Sequence, residues 1–330
     1  MSALAPTLEG FFTQRLINQK RASAHTIGAY RDTFRLLLEF ASGRTGKAPC
    51  DLCFDDLDAP FIGAFLDHLE IDRHNSTRTR NSRLAAVHSM YCYAALQHPE
   101  HAALIGRVLA LPTKRTDRSD VAFLEPKEVD ALLGAPDRAR WVGRRDHALL
   151  VTAVQTGLRV SELTGLCCQD VHLARGPHVR CMGKGRKQRC TPLTTQTVSV
   201  LRAWLEERGD DPTGPLFPTS RGRRLSTDAV AWLVAKHAAT GARACPTLKT
   251  KTVTPHVLRH TCAMALLRAG VEATVIAMWL GHEDVETTAR IYLHADMTIK
   301  ERALARTTPP NTTPGRYKPP DRLLAFLEAL

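Results

Sequence analysis

No stretch of this 330-residue chain stays apolar for anything near the ~20 residues that a membrane-crossing helix needs. Its N-terminus, MSALAPTLEG, lacks the basic segment and apolar run of a secretory leader, so the cytoplasm is the expected compartment. Acidic side chains are in deficit: 33 Asp and Glu stand against 45 Lys and Arg, a net charge of +12 that favours a polyanionic partner. The nine cysteines do not form a disulfide framework in so long a chain with no leader. Cys50-x-x-Cys53 finds no second CxxC or HxxxH pair to complete a zinc site, so reduced thiols in or near a core are expected. Repeats and low-complexity blocks are also missing, and Gly183-Lys184-Gly185 lacks the rest of a phosphate-binding P-loop.

What is present is an ordinary globular composition, 44% apolar, and enough length for two domains. Residues 1–105 read as helices. Leu8, Phe11, Phe12 and Leu16 open the first, and Ser23 is placed to cap a second carrying Ile27, Tyr30, Phe34, Leu37, Leu38 and Ala41 on one face. Phe61–Leu69 is a third, and a fourth starts near Asn75 or Ser76 and buries Leu84, Val87, Tyr91 and Ala94. Its exposed side is expected to show Arg78, Arg80 and Arg83, either as a solvated surface or as contacts to a nucleic-acid backbone. Residues 106–121 lose all periodicity and read as an interdomain linker, whose Lys114 and Arg115 could lie against DNA.

The second domain opens at residue 122, with Pro126 and acidic residues in a first helical turn. Asp146–Thr156 reads as a buried helix stopped by Gly157. Two extended runs, His178–Met182 and Gln188–Leu193, flank the basic, Gly-rich turn Gly183-Lys184-Gly185-Arg186-Lys187, which predicts a hairpin. Helices follow at Thr194–Arg208 and Thr227–Ala239, so the class is mainly α with a small β-sheet (α+β), the catalytic part ending near residue 305.

The chain is organised around Thr254–His294. There Met264, Leu266, Leu267, Val271, Val275, Ile276 and Leu280 recur at helical spacing as a buried frame beneath His256, Arg259, His282 and Tyr292. This toolkit suits a phosphodiester. Guanidinium forks match the non-bridging oxygens of the transition state, and here the two forks would be Arg159 and Arg259. Lys184 on its hairpin would protonate the departing 5′-oxygen, and the imidazoles of His256 and His282 would hold the phosphate. Tyr292 would attack; the other tyrosines, at 30, 91, 93 and 317, fall in the first domain or the tail. The histidines have no acids spaced to complete a metal cage, so neither metal nor other cofactor is expected.

The boxes TGLRVSELTGL (156–166), GKGRKQR (183–189), PHVLRH (255–260) and LGH (280–282), followed by Tyr292, resemble the tyrosine recombinase (phage integrase) family in order and spacing. The resemblance implies a helical, SAM-like core-binding domain and a catalytic domain closing on DNA as a C-shaped clamp. It places the family's catalytic set on Arg159, Lys184, His256, Arg259, His282 and Tyr292, with Glu162 as the acid supporting the first arginine and with Arg186 and Lys187 beside the DNA. Tyr292 stands ten residues after His282 where the family usually has nine, an offset of about 100° on a helix that a longer loop or a bulge must absorb.

Tyrosine attack conserves the bond energy in a 3′-phosphotyrosine and frees a 5′-hydroxyl, so exchange through a Holliday junction needs no ATP. Exchanging two double-stranded recombination sites calls for four protomers, a tetramer on DNA in which sister recombinases could take part. Residues 306–330, a Pro/Thr-rich spacer and then DRLLAFLEAL, read either as a segment passed to a neighbouring subunit or as one folded back on its own. Within the resemblance the expected role is integration, excision or transposition of a mobile element. Xer-type dimer resolution, a type IB topoisomerase-like activity and a catalytically silent DNA-binding protein are the alternatives.

Overall fold

A computed structural model describes residues 4–116, 122–183, 188–209 and 211–281. The chain divides into two compact units, Met1–Ser119 and Asp120–Leu330. Among the described residues no helix is long and apolar enough to cross a membrane.

Helices are the regular elements among the described residues of the first unit. α1 (Leu4–Gly10) runs into a π-helix (Phe11–Gln19), followed by α2 (Ala24–Thr45), α3 (Ala59–Ile71), α4 (Thr77–Ala94) and α5 (Ala102–Leu109). Local sequence sets the starts. Ser23, Asp58 and Ser76 sit at extended dihedrals, and their side-chain oxygens accept the Thr26, Phe61 and Thr79 amides. Each such cap contributes about 1 kcal/mol. Phe11, Phe34, Phe54, Phe65 and Tyr91 fill the core, and the buried Tyr91 hydroxyl donates to the Leu57 carbonyl at 2.6 Å.

Two expectations for this unit are corrected. The three arginines of α4 do not share an exposed face: Arg78 is exposed, Arg83 is half-buried and Arg80 is only 6% exposed. Residues two apart on a helix are turned by about 200°, so Arg78 and Arg80 point to opposite sides. Arg80 Nη1 donates to the Pro112 carbonyl (3.0 Å) and to Asn81 Oδ1 (3.1 Å). The stretch read as a linker from 106 is also not one at its start. Its first residues complete α5, whose Val108 is fully buried, and the residues after that helix are strapped to α4. Asn81 exchanges hydrogen bonds with the Lys114 backbone (2.7 and 3.1 Å), and the Lys114 ammonium is paired with Glu70.

In the second unit α6 (Pro126–Gly134), α7 (Trp141–Thr156) and α8 (Val160–Gly165) precede β1 (Val171–His172), β2 (His178–Met182) and β3 (Gln188–Pro192). Then come α9 (Thr195–Arg208), α10 (Thr227–Gly241), α11 (Pro255–Arg268) and α12 (Ala273–Leu280). The sheet is antiparallel in the order β1-β2-β3, with Cys181 opposite Arg189. β2 and β3 pair antiparallel as the two extended runs predict, residues 184–187 between them lying outside the described ones; β1, two residues long, is too short to read from alternation. Leu149, Leu150, Val179, Leu201, Leu216, Val230 and Leu258, all at 1% exposure or less, pack the α7-centred core. Ala263, Met264, Ile276 and Leu280 join α11 to α12. Val275, expected in that frame, instead faces outward at 45% exposure next to Met278 at 75%.

Candidate active site

The site is assembled where three helix ends meet. α7 stops at Gly157, whose φ of +63° takes the chain into the left-handed region. A Cβ there would lie 2.6 Å from Leu280 Cδ2 and 3.1 Å from Cys262 Sγ, so the end of α12 and the middle of α11 press directly on the turn. Two residues on, Arg159 caps α8 with extended dihedrals. α12 ends at Leu280, and Gly281 follows at φ +66°. Helix ends leave carbonyls without intrahelical partners, and here cationic side chains take them.

Arg259 does most of this joining. It is 2% exposed; Nη1 donates to the Gly157 carbonyl and Nη2 to the Leu280 carbonyl, both at 2.7 Å. Trp279 Nε1 adds a bond to the Thr156 carbonyl at 3.1 Å. Arg159, with 34% of its side chain exposed, sends Nη2 to the Gly281 carbonyl at 3.0 Å. Both guanidiniums thus hold the two residues that immediately precede His282.

Glu162 is the counterweight. Its carboxylate accepts four hydrogen bonds: the Arg159 amide at 2.7 Å, Arg159 Nη1 at 3.0 Å, and Arg189 Nη1 and Nη2 at 2.8 and 2.7 Å. Burial works to raise its pKa, but the Arg189 fork and then the Arg159 amide outweigh it and hold the carboxyl below its usual range. Among the described residues of the cluster three guanidiniums stand against one carboxylate, a formal +2.

His256 stands on the first turn of α11, edge-on to His260 with ring centroids 4.4 Å apart. Its surface is open to solvent, yet neighbouring atoms crowd the ring. That partial burial, then the charges of Arg259 and Arg159, lower its pKa, so the imidazole is neutral near pH 7 and able to accept a proton. Two thiols lie close by, but burial pushes Cys181 up to about 11 and Cys262 to about 12, which keeps both protonated and poor as competing nucleophiles.

The structure therefore brings together Arg159, Glu162, His256 and Arg259. Lys184, Arg186, Lys187, His282 and Tyr292, and the tail 306–330, lie outside the described residues. Of the backbone-contact candidates, Arg78 and Arg115 are exposed, whereas Arg80 is buried and Lys114 is ion-paired. All nine cysteines are free, and Cys53 Sγ donates to Asp56 Oδ2 at 3.1 Å. Among the described residues no group of three or more His, Cys, Asp or Glu is arranged to hold a metal ion.

The residue that sequence reasoning passed over is Arg189. Period-two alternation was the available signal: it puts position 189 on the opposite strand face from the exposed Gln188 and Cys190, and the same face as the buried Thr191. A charge on an inward face requires a carboxylate partner.

Two family models match the chain: the phage integrase family over residues 122–298, and the phage integrase N-terminal SAM-like domain over residues 10–98. A protein of Sinorhizobium fredii named as an integrase/recombinase is 55% identical over 331 residues, covering 100% of this chain and 99% of the relative. The tyrosine recombinase XerC of Pelobacter propionicus is 31% identical over 309 residues, covering 92% and 95%. Among solved structures, the XerH site-specific recombinase in a post-cleavage complex with its palindromic difH substrate superposes with a TM-score of 0.69. Identity there is 22%, over 87% of this chain and 81% of that one, a likeness of fold.

Proposed function

The chain belongs to the phage integrase family of tyrosine recombinases, and from that premise we propose that it cleaves and rejoins DNA strands at specific sites through a 3′-phosphotyrosine. The observation that carries this reading is the +2 cluster of Arg159, Arg189 and Arg259 around Glu162, with a neutral His256 beside it. In the proposed reaction Arg159 and Arg259 stabilise charge on the non-bridging oxygens as it develops, and His256 and His282 hydrogen-bond the phosphate. Tyr292 attacks the phosphorus, its proton passing to a neighbouring base, and Lys184 gives a proton to the departing 5′-oxygen. A 5′-hydroxyl from a second strand reverses the step. Two such exchanges make and resolve a Holliday junction, with four protomers on two duplexes and no ATP. Such an enzyme works where the chromosome is, in the cytoplasm, and the exposed Arg78 and Arg115 are its candidates for backbone contacts.

Integration, excision or transposition of a mobile element is the favoured role. The relative named as an integrase/recombinase is 55% identical, whereas the XerC relative is 31% identical. Dimer resolution of the Xer type is the second reading, supported by the family of Xer-named relatives.

The test is covalent capture. The protein is incubated with a library of random and chromosomal duplexes, denatured in detergent, and the DNA still attached is sequenced. Wild-type protein is expected to retain a defined site; Tyr292→Phe is expected to bind the same duplex and retain none. Adducts formed by Tyr292→Phe would overturn the nucleophile assignment, and no adduct from wild type would overturn the strand-transfer reading. Captured sites at the two ends of one element indicate mobility, and a single chromosomal site with two inverted half-sites indicates dimer resolution.

A further inference from the structure

Arg189 belongs to a different element from every other described member of the cluster. It lies on β3, five residues after Lys184 in sequence, and only 13% of its side chain is exposed. Its two Nη groups hold both oxygens of Glu162, the carboxylate that also receives the Arg159 amide and Nη1. Its guanidinium also lies against the Gly281 turn: a Cβ on Gly281 would meet Arg189 Nη1 at 2.7 Å and Cζ at 3.1 Å. The Gly281 carbonyl in turn takes Arg159 Nη2. Arg189 therefore touches both groups that fix the Arg159 fork, and the strand it sits on begins four residues after Lys184 in sequence.

We propose that Arg189 is a positioning residue for strand transfer, which locks Glu162 and the Gly281 turn and through them sets the orientation of Arg159. The proposal rests on the strand-transfer reading above. A lysine cannot replace the fork, because an ammonium is a point charge and cannot bind both carboxylate oxygens in the plane of a guanidinium. Without the fork Glu162 is free to turn, and Arg159 loses the fixed partner that aims its remaining donors. Misplacing a phosphate-binding group by about 1 Å costs on the order of a hundredfold in rate.

Three single variants, Arg189→Lys, Arg189→Gln and Glu162→Gln, and the pair Arg189→Gln with Glu162→Gln, test this in the full chain. The substrate is the duplex recovered by covalent capture, nicked near the cleavage point so that adducts accumulate. At saturating protein, both Arg189 variants are expected to form adduct about a hundredfold more slowly than wild type. Arg189→Lys is expected to bind the duplex as tightly as wild type, since the charge is kept. The double variant is expected to be no slower than the slower single variant, since both residues act through one link. In parallel, the carbon-13 carboxyl signal of Glu162 is titrated; its midpoint is expected to rise in Arg189→Gln. Full recovery of rate by Arg189→Lys would show that charge alone is needed and would overturn the proposal, as would additive losses in the double variant. If wild type forms no adduct, the strand-transfer reading fails by itself, and the Glu162 titration decides the Arg189–Glu162 link: an unmoved midpoint overturns it.

Discussion

Replacing Gly157 with alanine is a sharp test of how the site is held, because two independent penalties fall on one methyl group. At φ +63° an L-residue is strained by about 1–2 kcal/mol. The added Cβ would also sit 2.6 Å from Leu280 Cδ2 and 3.1 Å from Cys262 Sγ. Leu280 is fully buried and Cys262 is 4% exposed, so neither has open space to move into, and overpacking adds roughly 1–3 kcal/mol. The sum, about 2–5 kcal/mol, is a large part of the 5–15 kcal/mol typical of a folded domain. For a unit of this size it corresponds to a fall in melting temperature of roughly 4–20 °C. Because the chain has two units, the assay must read them separately, and hydrogen exchange followed on peptides from each does so. Protection should drop in α7, α11 and α12 and stay unchanged in α2–α4. Leu280→Ala removes the obstructing methyl, so in the Gly157→Ala background it should cost at least about 1 kcal/mol less than it does alone. A loss below about 1 kcal/mol for Gly157→Ala, or strict additivity of the pair, would refute the reasoning.

Arg80→Ala should destabilise the first unit by about 1–3 kcal/mol by stripping the Pro112 carbonyl of its donor, whereas Arg78→Ala should change stability by less than about 0.5 kcal/mol and weaken DNA binding; chemical unfolding and a binding titration separate the two. Glu162 has a depressed pKa, so its stabilising effect is complete above the ordinary glutamate value and is lost as pH falls through the lower folded value. The stability gap between wild type and Glu162→Gln should therefore be flat from pH 7 to about 5 and shrink as pH falls below about 4.5; a gap undiminished by acid contradicts the network. Deleting residues 318–330 should reduce tetramer formation on DNA more than binding to a single site, measured by sedimentation and by gel shift; equal losses would show that the segment serves its own subunit.

What could be read from the chain was local. Ser23, Ser76 and Thr194 announce helix starts because a short side chain with an oxygen, standing just before an apolar-periodic run, has one useful hydrogen bond to make. Arg159, His256 and Arg259 stood out because their residue types suit a phosphodiester, and Glu162 because its box resembles that of the family. What was hidden depends on contacts distant in sequence. Nothing within a turn of Arg80 reveals that Pro112 needs its donor, 32 residues away. Arg189 and Glu162 are 27 residues apart, and their pairing exists only once β3 is folded beside α8. α5 escaped notice because two turns carrying Leu104, Ile105 and Val108 give too little periodicity to stand out from the irregular run beyond it.

Arg259 has a consequence for how the protein can decay. Two of its donors are committed to the carbonyls of Gly157 and Leu280, so the fold depends on the same guanidinium to which the proposed chemistry assigns the phosphate. A lineage released from selection for strand transfer is not thereby free to discard it. Disabling alleles that still yield intact subunits should accumulate at Tyr292 sooner than at Arg259. For the same reason, a poison subunit meant to enter a complex and stall it is better made at the tyrosine, since loss of the arginine would remove the subunit rather than silence it.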